Sequence, residues 1–210
     1  MLTKVTTKLF QNKYLYKVVL ICPGAHHFRS GDMDKTLEYL STAKIGDNRS
    51  YHRTTFFKSQ EDLYYAQKLR NLIAQFEEYD IRVESPWLSF YTNQKDDIDK
   101  ILNLDKSKIK YVSIPPKNVQ LEEGTIILPK IPFDYRVTLG ATAQDYTAFL
   151  EWAESSDKVR LTKSTKTALQ RPRSWGGTFF YVKGDNMLLL AKMHLSGAIA
   201  RIDRVIKPNS

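Results

Sequence analysis

The 210-residue sequence predicts an α+β protein, with strands and helices alternating first and strands dominating the C-terminal part. Short runs of β-branched and apolar residues recur between turn residues, and several are followed by a helix-start pattern. The chain is 42% hydrophobic and 12% aromatic, which can fill the core of one large domain or two small ones. Its longest apolar run, residues 18–22, is far shorter than the about 20 residues that a membrane span needs. We therefore expect no transmembrane segment.

The N-terminal segment, residues 1–51, is predicted to form a strand, a loop and a helix that pack on the rest of the chain. Residues 14–21, "YLYKVVLI", are β-branched and apolar and end at "CPG", which is typical of a buried strand. Asp32 is a candidate N-cap for the following helix, whose Met33, Leu37 and Leu40 share one face.

A helix-start pattern occurs three times, each time as a capping residue followed three positions later by aspartate. An aspartate there faces the unpaired N–H groups and the positive end of the helix dipole. The pattern predicts helices over 60–77, 94–103 and 143–154, and a structural role for its aspartates. The capping residues and aspartates are Ser59 with Asp62, Asn93 with Asp96, and Thr142 with Asp145.

Residues 52–116 are predicted to form a β-α-β-β-α-β unit. Strand-like runs flank the first two predicted helices and lie at 52–58, 81–85, 87–92 and 109–115. This order resembles the split βαβ arrangement of ferredoxin-like domains, which RNA-recognition motifs share. The resemblance implies that the first and third strands lie in the centre of the sheet. We expect the aromatic residues of these two strands to pack mainly in the core; they are Phe56, Phe57, Trp87, Phe90 and Tyr91.

Residues 125–210 are predicted to form a basic α+β half, separate from or continuous with the preceding unit. Besides the helix over 143–154, a short helix capped by Ser164 is expected before Pro172. The last runs are interpreted as a three-stranded antiparallel meander joined by tight turns. The predicted strands lie at 125–128, 135–139, 158–161, 177–182, 186–195 and 198–206.

The net charge of +9 is distributed unevenly along the chain. Residues 1–31 contain five Lys or Arg and no acidic residue, and residues 158–210 contain eleven basic and two acidic residues. Residues 32–157 have a net negative charge. Two cationic ends that fold side by side repel each other, and a polyanion relieves that repulsion. A basic face that only aids solubility is the competing interpretation.

The basic segment 158–184 contains the main candidate site, with seven Lys or Arg, four aromatic residues and no acidic residue. Pro172 stiffens the backbone beside Arg171 and Arg173, and an arginine pair next to Trp175 is suited to phosphate contact and base stacking. Strand alternation places Phe179, Tyr181 and Lys183 on one face, and Lys192 on a face of the next predicted strand. The candidate nucleic-acid contacts are Lys158, Arg160, Lys163, Lys166, Arg171, Arg173, Trp175, Phe179, Tyr181, Lys183 and Lys192, helped by His27 and Arg29.

These features favour a non-catalytic protein that binds nucleic acid, with single-stranded DNA or RNA preferred to duplex. An accessory protein of replication, recombination or RNA handling, such as phages encode, fits this description. We expect no cofactor, and we expect the protein to be cytoplasmic. The alternative is a structural or assembly protein whose basic face binds an acidic protein partner.

A metal-dependent nuclease is the lower-ranked alternative. Residues 23–34 contain His26, His27, Asp32 and Asp34, and His52 would be a distant third histidine ligand. However, adjacent histidines on an extended chain point in different directions, and Asp32 also suits a helix cap. The same loop could instead bind an anion at the helix start. The single cysteine, Cys22, cannot form an internal disulfide and is expected to fill the core.

Overall fold

The computed structural model describes residues 2–46, 57–84, 86–141, 145–171, 176–195 and 197–207. Within these residues the chain is a mixed α+β protein with six α-helices and two five-stranded sheets. It divides into two compact units, Met1–Lys117 and Asn118–Ser210. Of the helices in the described ranges, none has the length and hydrophobicity that crossing a bilayer requires.

Unit 1 contains the first sheet, in which neighbouring strands follow the order β1-β5-β2-β4-β3. Strand β1 runs parallel to β5, and the other three neighbouring pairs are antiparallel. Its elements are β1 (Leu2–Val5), β2 (Tyr16–Ile21), α1 (Met33–Thr42), α2 (Gln60–Ile73), β3 (Tyr79–Glu84), β4 (Trp87–Thr92), α3 (Lys95–Leu104) and β5 (Ile109–Ile114).

The ferredoxin-like unit expected over 52–116 is not confirmed. Most of its first strand, 52–58, lies outside the described residues, and the place between β5 and β4 is occupied by β2. The physical reason is the composition of β2, whose Val18, Val19 and Leu20 are all buried. A strand with consecutive apolar residues is stable where both of its faces are covered.

Two of the helix-start predictions for unit 1 are confirmed and one is wrong. Asp32 caps α1, because its Oδ1 accepts hydrogen bonds from the N–H groups of Asp34 and Lys35 at 3.1 and 3.0 Å. Ser59 caps α2 by accepting from the Asp62 N–H at 3.2 Å. Asn93 does not cap α3; its Oδ1 accepts from the Leu15 N–H at 2.9 Å and so holds the start of β2.

Unit 2 contains the second sheet, in the order β6-β10-β7-β9-β8. Strand β6 is parallel to β10, and the remaining neighbouring pairs are antiparallel. Its elements are β6 (Thr125–Ile127), β7 (Tyr135–Leu139), α4 (Thr147–Glu154), β8 (Val159–Leu161), α5 (Lys163–Leu169), β9 (Phe179–Val182), α6 (Asp185–His194) and β10 (Ile199–Ile206).

The C-terminal meander predicted over 177–206 is wrong, because its middle run is the helix α6. Leu188, Ala191 and Leu195 are spaced three and four residues apart and are all buried, as on one face of a helix. The run is rich in Leu, Met, Ala and Lys, which favour helix, and contains no β-branched residue. As a result β9 and β10 are not neighbours, and β7 lies between them.

The shorter helices of unit 2 also begin at different residues from those predicted. Helix α5 is capped by Thr162 rather than Ser164, since Thr162 Oγ1 accepts from the Thr165 N–H at 3.1 Å. Helix α4 begins at Thr147, and Asp145 precedes it and accepts from the Thr147 N–H at 2.9 Å. The predicted cap Thr142 lies outside the described residues.

Candidate functional site

Strand β9 carries apolar side chains toward the helices and aromatic side chains toward the other face of its sheet. Phe180 and Val182 are fully buried in a core that includes Phe149 of α4 and Leu188 of α6. Phe179 and Tyr181 alternate with them and are half-buried, with ring centroids 5.6 Å apart. The helices therefore pack on one face of the second sheet, and the two rings lie on the opposite face.

Neighbouring strands add basic side chains to the face that holds the rings. The register pairs Tyr181 with Arg136 of β7 on one side and with Arg160 of β8 on the other, and it pairs Phe179 with Thr138. Directly opposed residues of antiparallel strands share a face. We call this surface the aromatic face and define it by Phe179, Tyr181, Arg136, Thr138 and Arg160.

Two lysines lie where β8 and β9 meet at one end of the aromatic face. The Lys183 N–H donates to the Lys158 carbonyl oxygen at 2.9 Å, so that the two residues are adjacent across the strands. Both side chains are exposed, and so is Arg160. The structure thus brings together five of the residues singled out from the sequence: Lys158, Arg160, Phe179, Tyr181 and Lys183.

Arg136 is a basic residue of the aromatic face that the sequence patterns do not single out. Its guanidinium carbon lies 3.9 Å from the centroid of the Phe179 ring, which is the geometry of a cation–π contact. The residue is half-buried, and its Nε atom is buried without a hydrogen-bond partner among the described residues. In the sequence its only signal is alternation with the buried Val137 and Leu139, because its position beside Phe179 depends on strand pairing.

The basic residues of α5 form a separate group next to β9. Thr165 Oγ1 and Thr162 Oγ1 both contact the Phe179 carbonyl oxygen, which fixes the start of the helix beside that strand. Lys163 and Arg171 are exposed and line a shallow groove on α5. Lys166 instead forms an ion pair with Glu154 at 2.8 Å.

Lys192 does not lie on the surface for which it was predicted. It is exposed on α6, which packs on the face of the sheet opposite Phe179 and Tyr181. His194, two residues further along α6, stacks on Trp152 with ring centroids 4.8 Å apart. Lys192 lies away from the aromatic face because residues 185–194 form a helix instead of the predicted strand. The remaining candidates, Arg173 and Trp175, lie outside the described residues.

His27 lies within a 3-10 turn over Ala25–Phe28 in unit 1, and Arg29 follows that turn. His27 stacks on Tyr39, and burial together with the neighbouring His26 lowers the pKa of His27 from 6.5 to about 3. Its imidazole is therefore neutral near pH 7 and adds no charge for an anion, whereas Arg29 is exposed.

The described part of the chain contains no group of three or more His, Cys, Asp or Glu side chains that could hold a metal ion. Asp32 is engaged as the cap of α1, and His52 lies outside the described residues. Cys22 is fully buried, and desolvation raises the pKa of its thiol to about 12, which agrees with a residue that fills the core.

The described residues thus place one aromatic and cationic surface on the second sheet, with its helices on the other side. In comparisons with known proteins, no family model, no curated protein and no solved structure matches this chain.

Proposed function

We propose that this protein binds single-stranded nucleic acid on the aromatic face of unit 2. The observation that carries the proposal is the register that sets Tyr181 between Arg136 and Arg160, with Phe179 in the next row. Half-buried rings flanked by cations are the arrangement with which proteins stack unpaired bases and neutralise the phosphates between them.

The charges of this region support a polyanion as the ligand. Lys158, Arg160 and Lys183 are exposed at the edge of the aromatic face, and segment 158–184 has no acidic residue. Backbone phosphates bind such cations without regard to sequence and release counterions, so that affinity falls as salt concentration rises.

The aromatic residues favour a single strand over a duplex. In a duplex the bases are already stacked on each other, and a flat sheet face cannot reach them. In a single strand each base that stacks on a side chain contributes roughly 1–3 kcal/mol. Whether the polymer is DNA or RNA is decided by the experiment below.

The test is a titration of fluorescent 20-nucleotide single-stranded DNA, single-stranded RNA and duplex DNA with the full chain at several salt concentrations. We expect the single strands to bind more tightly than the duplex and the affinity to fall steeply with salt. Absence of binding to all three at low salt would contradict the proposal and leave an acidic protein partner as the function to test.

Two single charge reversals locate the binding surface. Arg160→Glu changes an exposed cation on the aromatic face, and Lys192→Glu changes an exposed cation on α6, on the opposite side of the sheet. Arg160→Glu is expected to weaken single-strand binding at least about tenfold, and Lys192→Glu to change it by less than about twofold. Equal losses for the two variants would mean that net charge, and not this face, accounts for the binding.

A further inference from the structure

Arg136 lies on the β7 side of the aromatic face and has an unusual environment. Its guanidinium carbon Cζ lies 3.9 Å from the centroid of the Phe179 ring, and its buried Nε has no hydrogen-bond partner among the described residues. A buried N–H without an acceptor costs free energy, so such groups are rare in folded proteins.

A second guanidinium lies one strand away, on β10. The register pairs Arg201 with Thr138, two residues along β7 from Arg136. Arg201 Nε donates to Asp203 Oδ2 at 3.2 Å and forms an ion pair with Oδ1 at 3.0 Å, and Asp203 is buried. This contact holds the Arg201 side chain in place on the sheet face.

The carboxylate of Asp203 forms an ion pair with Arg201 but not with Arg136. Asp203 is opposite Arg136 in the register, but the structure shows no ion pair between them; the oxygens accept from Arg201 instead. Thr138, which is opposite Arg201 and two residues from Arg136, also has a buried hydroxyl without a partner among the described residues. Two arginines and one threonine therefore occupy neighbouring positions on one face of β7 and β10, with a single buried carboxylate beside them.

We infer that Arg136 and Arg201 bind a backbone phosphate of the single strand next to Thr138; this inference rests on the proposed function. Phe179 lies beside the Arg136 guanidinium, and Arg136 is only half-buried, so part of its side chain is open to a ligand. A guanidinium presents N–H groups in a fork that matches two phosphate oxygens. Two adjacent cations favour an anion over the neutral edge of a base.

The site predicts contact with phosphate but no base preference. Phosphate contacts position a strand, whereas contacts to base edges select its sequence. Removing the Arg136 charge should therefore weaken the binding of oligo-dT, oligo-dA and oligo-dC by the same factor. It should also reduce the slope of log affinity against log salt by about 0.7, the value for one phosphate contact on a single strand.

Three variants test the inference: Arg136→Met, Arg136→Lys and Lys192→Met. Methionine keeps an apolar stem beside Phe179 and removes the charge; lysine keeps the charge and removes the fork; Lys192→Met removes one exposed cation from the opposite side. Thermal unfolding followed by circular dichroism checks that each variant is folded. The affinity for the three oligonucleotides is then measured at four salt concentrations.

We expect Arg136→Met to lose at least about fivefold in affinity and to show the smaller slope, while Arg136→Lys keeps the wild-type slope with weaker binding. Lys192→Met should change neither quantity. An Arg136→Met variant with an unchanged slope would overturn the inference, and a loss confined to one base type would replace phosphate contact by base recognition. If wild-type protein binds no oligonucleotide, the proposed function fails first, which distinguishes the two failures.

The same cations could bind a free phosphate ion, which has the same chemistry. Thermal unfolding with inorganic phosphate, against chloride at equal ionic strength, separates the two sources. Phosphate that stabilises wild type but not Arg136→Met, together with oligonucleotide affinity that is equal for both, would overturn the strand-phosphate assignment. Equal stabilisation of both proteins, together with the expected difference in oligonucleotide affinity, supports it.

Discussion

The Arg136 guanidinium lies over the ring of Phe179, with 3.9 Å between its central carbon and the ring centroid. The two residues come from strands more than forty positions apart in sequence, and pairing of β7 with β9 brings them together. The contact combines a ring and a cation on the side of the sheet opposite its helices.

The Tyr181 ring should contribute base stacking. Replacing Tyr181 by alanine is expected to weaken single-strand binding by roughly 1–3 kcal/mol, because one stacked base is lost. Duplex binding should change much less. Fluorescence anisotropy with single-stranded and duplex oligonucleotides of equal length measures both effects.

Tyr181→Phe is the matched control, because it keeps the ring and removes only the hydroxyl group. It should bind a single strand about as tightly as wild type does. If Tyr181→Phe loses as much affinity as Tyr181→Ala, the hydroxyl and not stacking is responsible; equal losses for single strand and duplex would also exclude stacking.

Gly176 allows a close approach of two backbone segments next to β9. It has a φ of +78°, and a Cβ placed on it would lie 2.6 Å from the carbonyl carbon of Gly140. Gly177 has the same φ but no atom within 4 Å of such a Cβ. The segment of Gly176 and Gly177 is joined to the end of β7, because the Gly177 N–H donates to the Leu139 carbonyl oxygen at 2.8 Å.

Substitution by alanine at these two positions should therefore have different effects. Gly177→Ala introduces only the left-handed backbone strain, about 1–2 kcal/mol. Gly176→Ala adds a steric overlap that costs about 1–3 kcal/mol more. Urea unfolding of both variants measures the difference; equal free energies of unfolding would show that the backbone of Gly140 moves aside at no cost.

His27 should make unit 1 less stable in acid. Burial lowers the pKa of His27 to about 3 in the folded chain, whereas an unfolded chain has the ordinary value of 6.5. Between these pH values His27 is protonated in the unfolded chain but stays neutral in the folded chain. The free energy of unfolding therefore decreases as pH falls below about 6.5, and the decrease continues to about pH 3.

The variant His27→Phe keeps a ring beside Tyr39 and removes the titrating group. Its free energy of unfolding, measured in urea at pH 7.5 and pH 5.0, should decrease less than that of wild type. The same decrease in both proteins would mean that the His27 imidazole takes up its proton normally in the folded chain.

Local sequence patterns were sufficient for elements whose signal lies within a few residues. The Asp32 and Ser59 caps depend on hydrogen bonds to N–H groups two or three residues ahead, and both are present. The alternation in β9 correctly separates the half-buried Phe179 and Tyr181 from the buried Phe180 and Val182. These features depend on backbone periodicity, which the sequence contains.

Other segments have sequences that fit two different structures, and contacts with distant parts of the chain decide between the two. Asn93 has the composition of a helix cap, but its amide oxygen accepts from Leu15, 78 residues away. The apolar run 186–195 fits either strand or helix, because a continuous apolar segment has no distinguishing period. Leu188 and Ala191 are buried with Phe149 in the same core, and that packing stabilises the helix.

The sequence by itself determined the α+β class, the positions of most strands, and the concentration of cations and aromatic residues in segment 158–184. Tertiary structure decided that β2 takes the central position in the first sheet, that Lys192 lies away from the aromatic face, and that Arg136 lies on it. The physical reason is the distance along the chain over which each interaction acts. Periodicity and capping act over a few residues, whereas strand order and the neighbours of a side chain depend on which distant segments bury the most apolar surface together.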